Sequence, residues 1–154
     1  MSTEPLETAE GSDFPCCRQL SVFVENRLGQ LLRLTRAIDG EPIRILAISV
    51  EGSVDCAIVR LLVNDPDSAF RMIRDAGFAV TQSDVIVVEL PAGKRGILTI
   101  CAALISGEIN VNYAYSLLTL RDHGPCLAIQ VDNVPQAIPV LQSKHFHVLD
   151  QCEL

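Results

Sequence analysis

Tryptophan is absent from this 154-residue chain, and aromatic residues make up only 5% of it. Because 49% of the residues are hydrophobic, we expect a packed core of Val, Ile, Leu and Ala rather than a disordered chain. Positive charge is also scarce: 12 Lys and Arg oppose 19 Asp and Glu, giving a net charge of −7. This balance argues against nucleic acid and anionic membrane surfaces as partners, because both attract clustered positive charge.

The sequence also lacks a long apolar run. A membrane-spanning helix needs about 20 consecutive apolar residues, and no segment reaches that length. Residues 1–11 are acidic and polar, whereas a secretory signal has a basic start and an apolar middle. We therefore predict a cytoplasmic protein with a flexible tail at residues 1–17.

None of the six cysteines forms a C-x-x-C pair, which argues against a zinc knuckle or a thioredoxin-like motif. Cys56 and Cys101 lie in apolar runs, where a free cysteine acts as a small hydrophobic residue. The adjacent Cys16 and Cys17 could form a redox or soft-metal site, but reduced thiols in a linker are the simpler interpretation. We predict no cofactor.

His145 and His147 are spaced like alternate residues of a strand and could share one face. Two imidazoles can start a metal site, but no third ligand is evident, so surface histidines are favoured and no metal site is predicted. His123 lies in a predicted loop, where we expect it to be solvated. No Ser or Cys pairs with a histidine as a nucleophile pairs with its base, so we predict that the chain is not an enzyme.

What the sequence does contain is one pattern of strands and helices that occurs twice. Each copy predicts the order βαββαβ, with strands that alternate apolar and polar residues and helices that carry an apolar stripe. We place the first copy at residues 18–82 and the second at 83–154. The predicted strands are 19–25, 43–50, 57–63, 78–80, 85–90, 109–118, 126–131 and 146–149. The predicted helices are 31–38, 66–76, 97–105 and one that begins after Asp132-Asn133.

Matching strings support this register. Val63-Asn64-Asp65 corresponds to Val131-Asp132-Asn133, and Phe78-Ala79-Val80 corresponds to Phe146-His147-Val148. Pro139 falls inside the last helix, where it removes a backbone donor and clashes with the preceding turn. We therefore expect that helix to be short or kinked.

A glycine-containing turn joins the first strand to the first helix in each copy. These turns are residues 25–31, Glu-Asn-Arg-Leu-Gly-Gln-Leu, and residues 93–98, Gly-Lys-Arg-Gly-Ile-Leu. Glycine lets the backbone turn sharply and come close to a partner. The amide groups at the start of the following helix favour an anion such as a carboxylate. Gly96 takes the place of Gly29, so each copy carries a candidate ligand-binding turn.

A strand followed by Asn-x-Pro-Gly-x-Leu and a helix, within βαββαβ, resembles the ACT domain. The resemblance covers residues 18–154 as two tandem copies, and the chain most resembles small stand-alone tandem ACT proteins without a catalytic domain. It implies an α+β, ferredoxin-like fold with antiparallel sheets and helices on one face, which could join into one eight-stranded sheet. It also implies a regulatory protein that binds an amino acid or similar small metabolite, usually at an interface between ACT units.

The first copy keeps the Asn, Gly and Leu of the family's turn but has Leu28 in place of Pro. The second copy keeps the Gly and Leu but has Gly93 and Arg95 in place of the Asn and Pro. The Asn that often begins the family's second strand is Asn110 in the second copy and is replaced by Arg44 in the first. Each copy thus keeps half of the polar pattern, which fits one composite site or a site that no longer binds amino acids. The ligand-binding residues implied by the resemblance are Asn26, Arg27, Leu28, Gly29, Gln30, Leu31, Lys94, Arg95, Gly96, Ile97, Leu98, Asn110, Val111 and Tyr113.

For an amino-acid ligand, the carboxylate would meet backbone amides of either turn, with nearby Arg and Lys side chains adding positive charge. The ammonium would need an oxygen, which Asn26 or Asn110 could provide. Tyr113 and Tyr115 lie two apart in one strand and are predicted to face the same side, where their hydroxyls could reach a ligand. The competing interpretation is that both turns are only tight connections.

Three other functions are compatible with the same topology. An RNA-recognition module needs stacking aromatics and a basic surface, but strand 57–63 has no aromatic residue and the chain is acidic. An acylphosphatase-like enzyme needs an Arg-bearing anion loop with an Asn, for which Asn26-Arg27 is a weak match. The alternative that we retain is a protein-interaction or regulatory subunit of a biosynthetic enzyme without a ligand of its own.

Residues 97–105 are apolar on nearly all sides of the predicted helix. Such a helix is typically buried on more than one face. We therefore predict that it packs between the two repeats or at a homodimer interface.

Overall fold

The computed structural model describes residues 14–40, 42–118, 120 and 122–154. Across these residues it contains seven strands and four α-helices, which confirms the predicted α+β, ferredoxin-like class. The strands are β1 Cys17–Glu25, β2 Ile45–Gly52, β3 Cys56–Val63, β4 Ala79–Glu89, β5 Val111–Ser116, β6 Cys126–Val131 and β7 Val148–Leu149. The helices are α1 Gln30–Ala37, α2 Pro66–Asp75, α3 Gly96–Ser106 and α4 Val134–Ser143, followed by a short 3₁₀ turn at Gln151–Glu153.

The two repeats share a strand. The strands predicted separately at 78–80 and 85–90 are one continuous strand, β4, so the sheet has seven strands rather than eight. The polar segment 81–84 does not interrupt β4, because its residues pair with β1 from Ser21↔Thr81 to Arg18↔Asp84. The boundary expected between residues 82 and 83 falls inside this strand.

The sheet curls until its two edges meet. Its strand order is β2-β3-β1-β4-β6-β5, all neighbours are antiparallel, and β7 pairs with the second half of β4. β2 and β5 form the two ends of that order, yet the N–H of Leu118, just after β5, donates to the carbonyl of Leu46 in β2 at 2.8 Å. The sheet therefore has an outer face, which carries the helices, and an enclosed inner face.

Three apolar clusters fill this architecture. The first lies between β1, β3 and the helices α1 and α2, and the second lies between β4, β6 and the helices α3 and α4. The third lies on the inner face and joins the repeats without any helix residue. Its buried members are Cys17, Leu46, Ala47, Leu62, Val85, Val87, Leu120, Cys126, Ala128 and Leu149. The two repeats are therefore packed sheet against sheet, with their helices outside.

The structure can be compared with three local predictions, on the tail, on Pro139 and on membrane-spanning helices. Residues 1–13 of the predicted tail lie outside the described residues, whereas Phe14 and Cys16 pack against the second cluster and Cys17 begins β1. Pro139 does not shorten its helix, because α4 has ten residues, as many as α2. No helix in the described part of the chain is long and apolar enough to cross a membrane.

One of the two predictions for helix α3 was that it packs between the repeats. The structure shows that it does not. It packs on the outer face with α4, and its far side is open. Ile97, Leu98 and Ile105 are 57%, 61% and 74% exposed, and Cys101 is exposed between them. Because residues 97, 101 and 105 are one helical turn apart, these side chains form one apolar stripe along α3.

Candidate functional site

The first predicted turn is an open surface. Gly29 adopts a left-handed conformation, with φ of 87°, directly before α1, and a side chain built there would meet nothing within 4 Å. The Asn26 side chain donates to the carbonyl of Ser53, and Arg27 forms an ion pair with Glu25 at 2.9 Å. Leu28 is fully exposed. The polar side chains Asn26 and Arg27 thus bond within the protein, and no other described residue packs beside Gly29 to form a pocket.

The remaining predicted residues of this turn follow Gly29 into the helix. Gln30 is the first residue of α1 and is half-buried, whereas Leu31 is exposed. A cavity of about 440 Å³ lies beyond them on α1. It is lined by Leu32, Thr35, Arg36, Ile38, Asp39, Ile43 and Ile45, none of which was predicted to bind a ligand.

The second turn is built differently, so Gly96 is not the backbone equivalent of Gly29. Gly96 is buried and is the first residue of α3, and the left-handed conformation belongs to Gly93, with φ of 104°. A side chain at position 96 would lie 3.1 Å from the carbonyl oxygen of Pro91. Glycine is needed at 96 for close packing, whereas at 29 it is needed for its φ angle.

A cavity of about 430 Å³ lies at this second turn. It contains three of the predicted residues, Lys94, Gly96 and Ile97, while Arg95 and Leu98 are exposed beside them. The complete lining is Leu90, Pro91, Ala92, Gly93, Lys94, Gly96, Ile97 and Pro125. The site therefore combines apolar walls with one ammonium group and a helix start.

The start of α3 is suited to an anion. No side chain caps it, and its first turn carries no acidic residue. The start of α1 is likewise uncapped, whereas α2 and α4 are capped by Asp65 and Asn133, whose side chains accept from backbone amides. An uncapped helix start leaves amide donors for another acceptor, and the helix dipole favours negative charge there.

The two turns lie at opposite ends of the sheet. The first follows β1, whose Phe23 pairs with Ala79 at the start of β4, whereas the second follows Glu89 at the end of β4. At about 3.3 Å per residue, these ends of β4 are roughly 33 Å apart. One chain therefore does not form the composite site that would have used both turns.

Asn110 and Val111 lie away from the second turn. Val111 pairs with Val131 at the last residue of β6, whereas Cys126, at its first residue, pairs with Glu89 next to the second turn. The length of β6 thus separates Asn110 from the second-turn cavity. The Asn110 side chain instead donates to Asn112 at 3.2 Å on the exposed edge strand.

Tyr113 and Tyr115 face the same side, as predicted, but that side is the inner face of the curled sheet. Gln19, which is fully buried, donates to the Tyr113 hydroxyl at 2.7 Å and accepts from the Tyr115 hydroxyl at 2.6 Å. Burial raises the pKa of Tyr115 far above its ordinary value. Arg60 lies over the Tyr113 ring and forms an ion pair with Glu51 at 2.8 Å.

This inner polar cluster is complete within the protein. Among the described residues, no buried side-chain nitrogen or oxygen lacks a hydrogen-bond partner. Sequence reasoning missed Gln19 and Arg60, although their alternation with buried Leu20 and Leu61 places both on the inner face. The cluster therefore joins the repeats through bonds made within the protein.

The histidines also lie where the sequence did not place them. His145 adopts a left-handed turn after α4, with φ of 64°, so it does not alternate with His147 along a strand. His147 instead stacks on His123, with ring centroids 5.7 Å apart. The His123 side chain is only 19% exposed rather than solvated, because Glu89 and His147 surround it.

A profile of the ACT domain pair matches residues 16–154, and the chain therefore belongs to this family. The fold is similar to that of protein BT0572 from Bacteroides thetaiotaomicron, with a TM-score of 0.83 and 27% identity over 92% of this chain and 97% of that chain. It is also similar to the regulatory subunit of aspartate kinase from Thermus thermophilus, with a TM-score of 0.56 and 12% identity over 85% and 93% of the two chains. The corresponding subunit from Thermus flavus gives a TM-score of 0.54 and 11% identity over 86% and 94%. A search of curated protein sequences found no match.

Proposed function

We propose that this ACT domain pair is a non-catalytic regulatory protein of the cytoplasm that binds an amino acid or a similar small carboxylate metabolite at its second turn. The observation that carries the proposal is the 430 Å³ cavity, which contains Lys94 and the uncapped start of α3. Its volume falls within the range of small-molecule sites, about 300–1,000 Å³. The first turn, which lacks a wall, is not part of the proposed site.

The chemistry of the lining suggests how such a ligand would lie. Its carboxylate would face the amides at the start of α3 and the Lys94 ammonium, and charge-assisted bonds of this kind are the stronger ones. Its aliphatic part would contact Leu90, Ile97 and Pro125. An ammonium group would be held by backbone carbonyls of the lining, since Asn110 lies at the far end of β6.

Regulation of a biosynthetic enzyme is the second part of the proposal. Two of the proteins that share this fold are regulatory subunits of aspartate kinase. We propose that this chain acts in a comparable way as a homodimer, and that the ligand favours one arrangement of its ACT units. A ligand shifts such an equilibrium only by its difference in affinity for the two states.

A thermal-shift screen against the twenty amino acids and common carboxylate metabolites tests the ligand. A compound present at about 100 times its dissociation constant adds roughly 2.7 kcal/mol to the free energy of unfolding, which is readily measured. Lys94→Ala should then weaken binding about tenfold or more, since a bond to a charged group is worth about 1.5–3 kcal/mol. Arg27→Ala is the matched control, because it removes a cation from the first turn only.

A protein-interaction subunit without a ligand of its own is the second candidate function. The exposed apolar stripe on α3, residues 97, 98, 101 and 105, favours it, because such patches on soluble proteins often mark contacts with other proteins. If no compound in the screen raises the melting temperature, the ligand-binding function is refuted and this alternative is favoured.

A further inference from the structure

Three strands bring two histidines and a glutamate together at one end of the sheet. Glu89 is the last residue of β4, and its neighbours there are β6 on one side and β7 on the other. It pairs with Cys126, three residues after His123, and its N–H donates to the carbonyl of His147 at 3.0 Å. The strand pairing therefore places the backbone of one histidine on each side of Glu89.

The side chains converge as well as the backbones. One donor atom from each of Glu89, His123 and His147 lies within 4.8 Å of the other two. Nδ1 of His123 is 3.5 Å from a carboxylate oxygen of Glu89, and Nε2 of His147 is 3.0 Å from a carboxylate oxygen of Glu153. Donors around a tetrahedral zinc ion, with bonds of about 2.0–2.2 Å, lie roughly 3.4 Å apart, which is close to the 3.5 Å between His123 and Glu89.

We propose that Glu89, His123 and His147 form a binding site for one divalent transition-metal ion, with zinc as the best match. Two imidazoles and a carboxylate are typical zinc donors, whereas magnesium and calcium prefer sites made of oxygens alone. Nε2 of His147 also bonds to the Glu153 carboxylate at 3.0 Å, which lies outside this set of three and can orient the imidazole. Because an imidazole binds a metal in the plane of its ring, at least one of the two near-parallel rings, 17° apart in plane, would turn out of the stack so that both nitrogens point at the ion.

The surroundings of Glu89 fit the role of a ligand. One of its oxygens accepts the N–H of Gly124 at 3.0 Å, which fixes the carboxylate and leaves its other oxygen toward His123. Such outer contacts orient metal ligands in known sites. The imidazoles are partly enclosed, with 19% of the His123 side chain and 52% of the His147 side chain exposed, so an ion has a path of entry.

An ion at this position would connect parts of the chain that are distant in sequence. It would join the end of β4, the loop before β6 and the segment before β7. The 3₁₀ turn that carries Glu153 is also bonded to the first repeat, because Gln151 accepts from the N–H of Arg18 at 2.9 Å and donates to the carbonyl of Val63. Metal binding should therefore raise the melting temperature of the whole chain.

Cobalt titration of chelator-treated, fully reduced protein tests the site. We expect one Co²⁺ per chain, with the visible absorption of nitrogen- and oxygen-bound cobalt and without the strong near-ultraviolet band of a thiolate. Zn²⁺ should displace it and raise the melting temperature. His123→Ala, His147→Ala and Glu89→Gln should each weaken binding at least tenfold.

His145→Asn is the matched control. His145 is exposed and lies outside the cluster, and asparagine tolerates its left-handed conformation, so this variant should bind cobalt as the wild type does. The far-ultraviolet circular dichroism of each metal-free variant checks that it is folded, and His123→Ala, in a loop, is the variant least expected to disturb the sheet. Absence of stoichiometric binding at micromolar cobalt, a thiolate band, or equal affinities in the His123 and His145 variants would overturn the proposal.

Discussion

The guanidinium of Arg60 lies over the ring of Tyr113, 3.8 Å from its centroid, although the two residues belong to different repeats. Arg60 comes from β3 and Tyr113 from β5, and they meet because the sheet curls. Only 13% of the Arg60 side chain is exposed, so the attraction between cation and ring acts with little competition from water. This contact and the bonds of Gln19 form a polar connection within an otherwise apolar interface between the repeats.

Gln19 should be essential to that connection. Gln19→Leu keeps a similar volume but leaves the hydroxyls of two half-buried tyrosines without their partner, so we expect a loss of about 1–3 kcal/mol in the free energy of unfolding. Urea denaturation followed by circular dichroism measures it.

Two further variants sharpen this test. Adding Tyr113→Phe and Tyr115→Phe to Gln19→Leu should restore part of the stability, because no polar group is then left unpaired. Gln82→Leu is the control, since Gln82 is exposed on β4 and its change should stay within about 0.5 kcal/mol. Equal losses of unfolding free energy in the Gln19 and Gln82 variants would show that the buried amide stabilises the protein no more than an exposed one.

The buried thiols should make the protein sensitive to alkaline pH. Burial raises the pKa of Cys126 from 9.0 to about 11, and it also raises the pKa of Cys17. The folded state then holds protons that the unfolded state has already released above pH 9. The free energy of unfolding should therefore fall as the pH rises from about 9 to 11.

Urea midpoints across this pH range provide the measurement. The free energy of unfolding of the Cys126→Ala variant should fall less steeply with pH than that of the wild type. Alkylation with iodoacetamide at mildly alkaline pH gives an independent check. The exposed thiols of Cys56, Cys101 and Cys152 should react well before the buried Cys17 and Cys126. Stability that stays constant or rises with pH would contradict the assignment of raised pKa values.

The βαββαβ repeat could be predicted from sequence because each element carries a local signal, such as the alternation in β1 or Asp65-Pro66 at the start of α2. The continuity of β4 could not be predicted from sequence, because the polar residues 81–84 resemble a linker. Their pairing with β1 depends on backbone hydrogen bonds that side chains do not reveal. Local pattern thus predicts elements better than it predicts how strands join.

For the candidate sites, too, local features could be predicted from sequence and contacts created by the fold could not. The sequence predicted a binding turn in each repeat and treated Gly29 and Gly96 as equivalent. In the structure Gly29 is needed for its φ angle, whereas Gly96 is needed for close packing. The pairing of His123 with His147 was missed because it depends on β6 and β7 flanking β4. Spacing along the chain carries no information about that contact.

The apolar stripe on α3 leads to a prediction about assembly. We expect the chain to be a homodimer in which α3 of one copy packs against α3 of the other, because a stripe of this kind is costly to leave in water. Ile105→Lys places a charge within that contact and should convert the dimer to a monomer, as measured by light scattering at micromolar concentrations. Val54→Lys is the control, since Val54 is 88% exposed at the turn between β2 and β3 in the other repeat. A wild-type chain that is monomeric throughout, or a Val54 variant that dissociates as readily as the Ile105 variant, would exclude α3 as the interface.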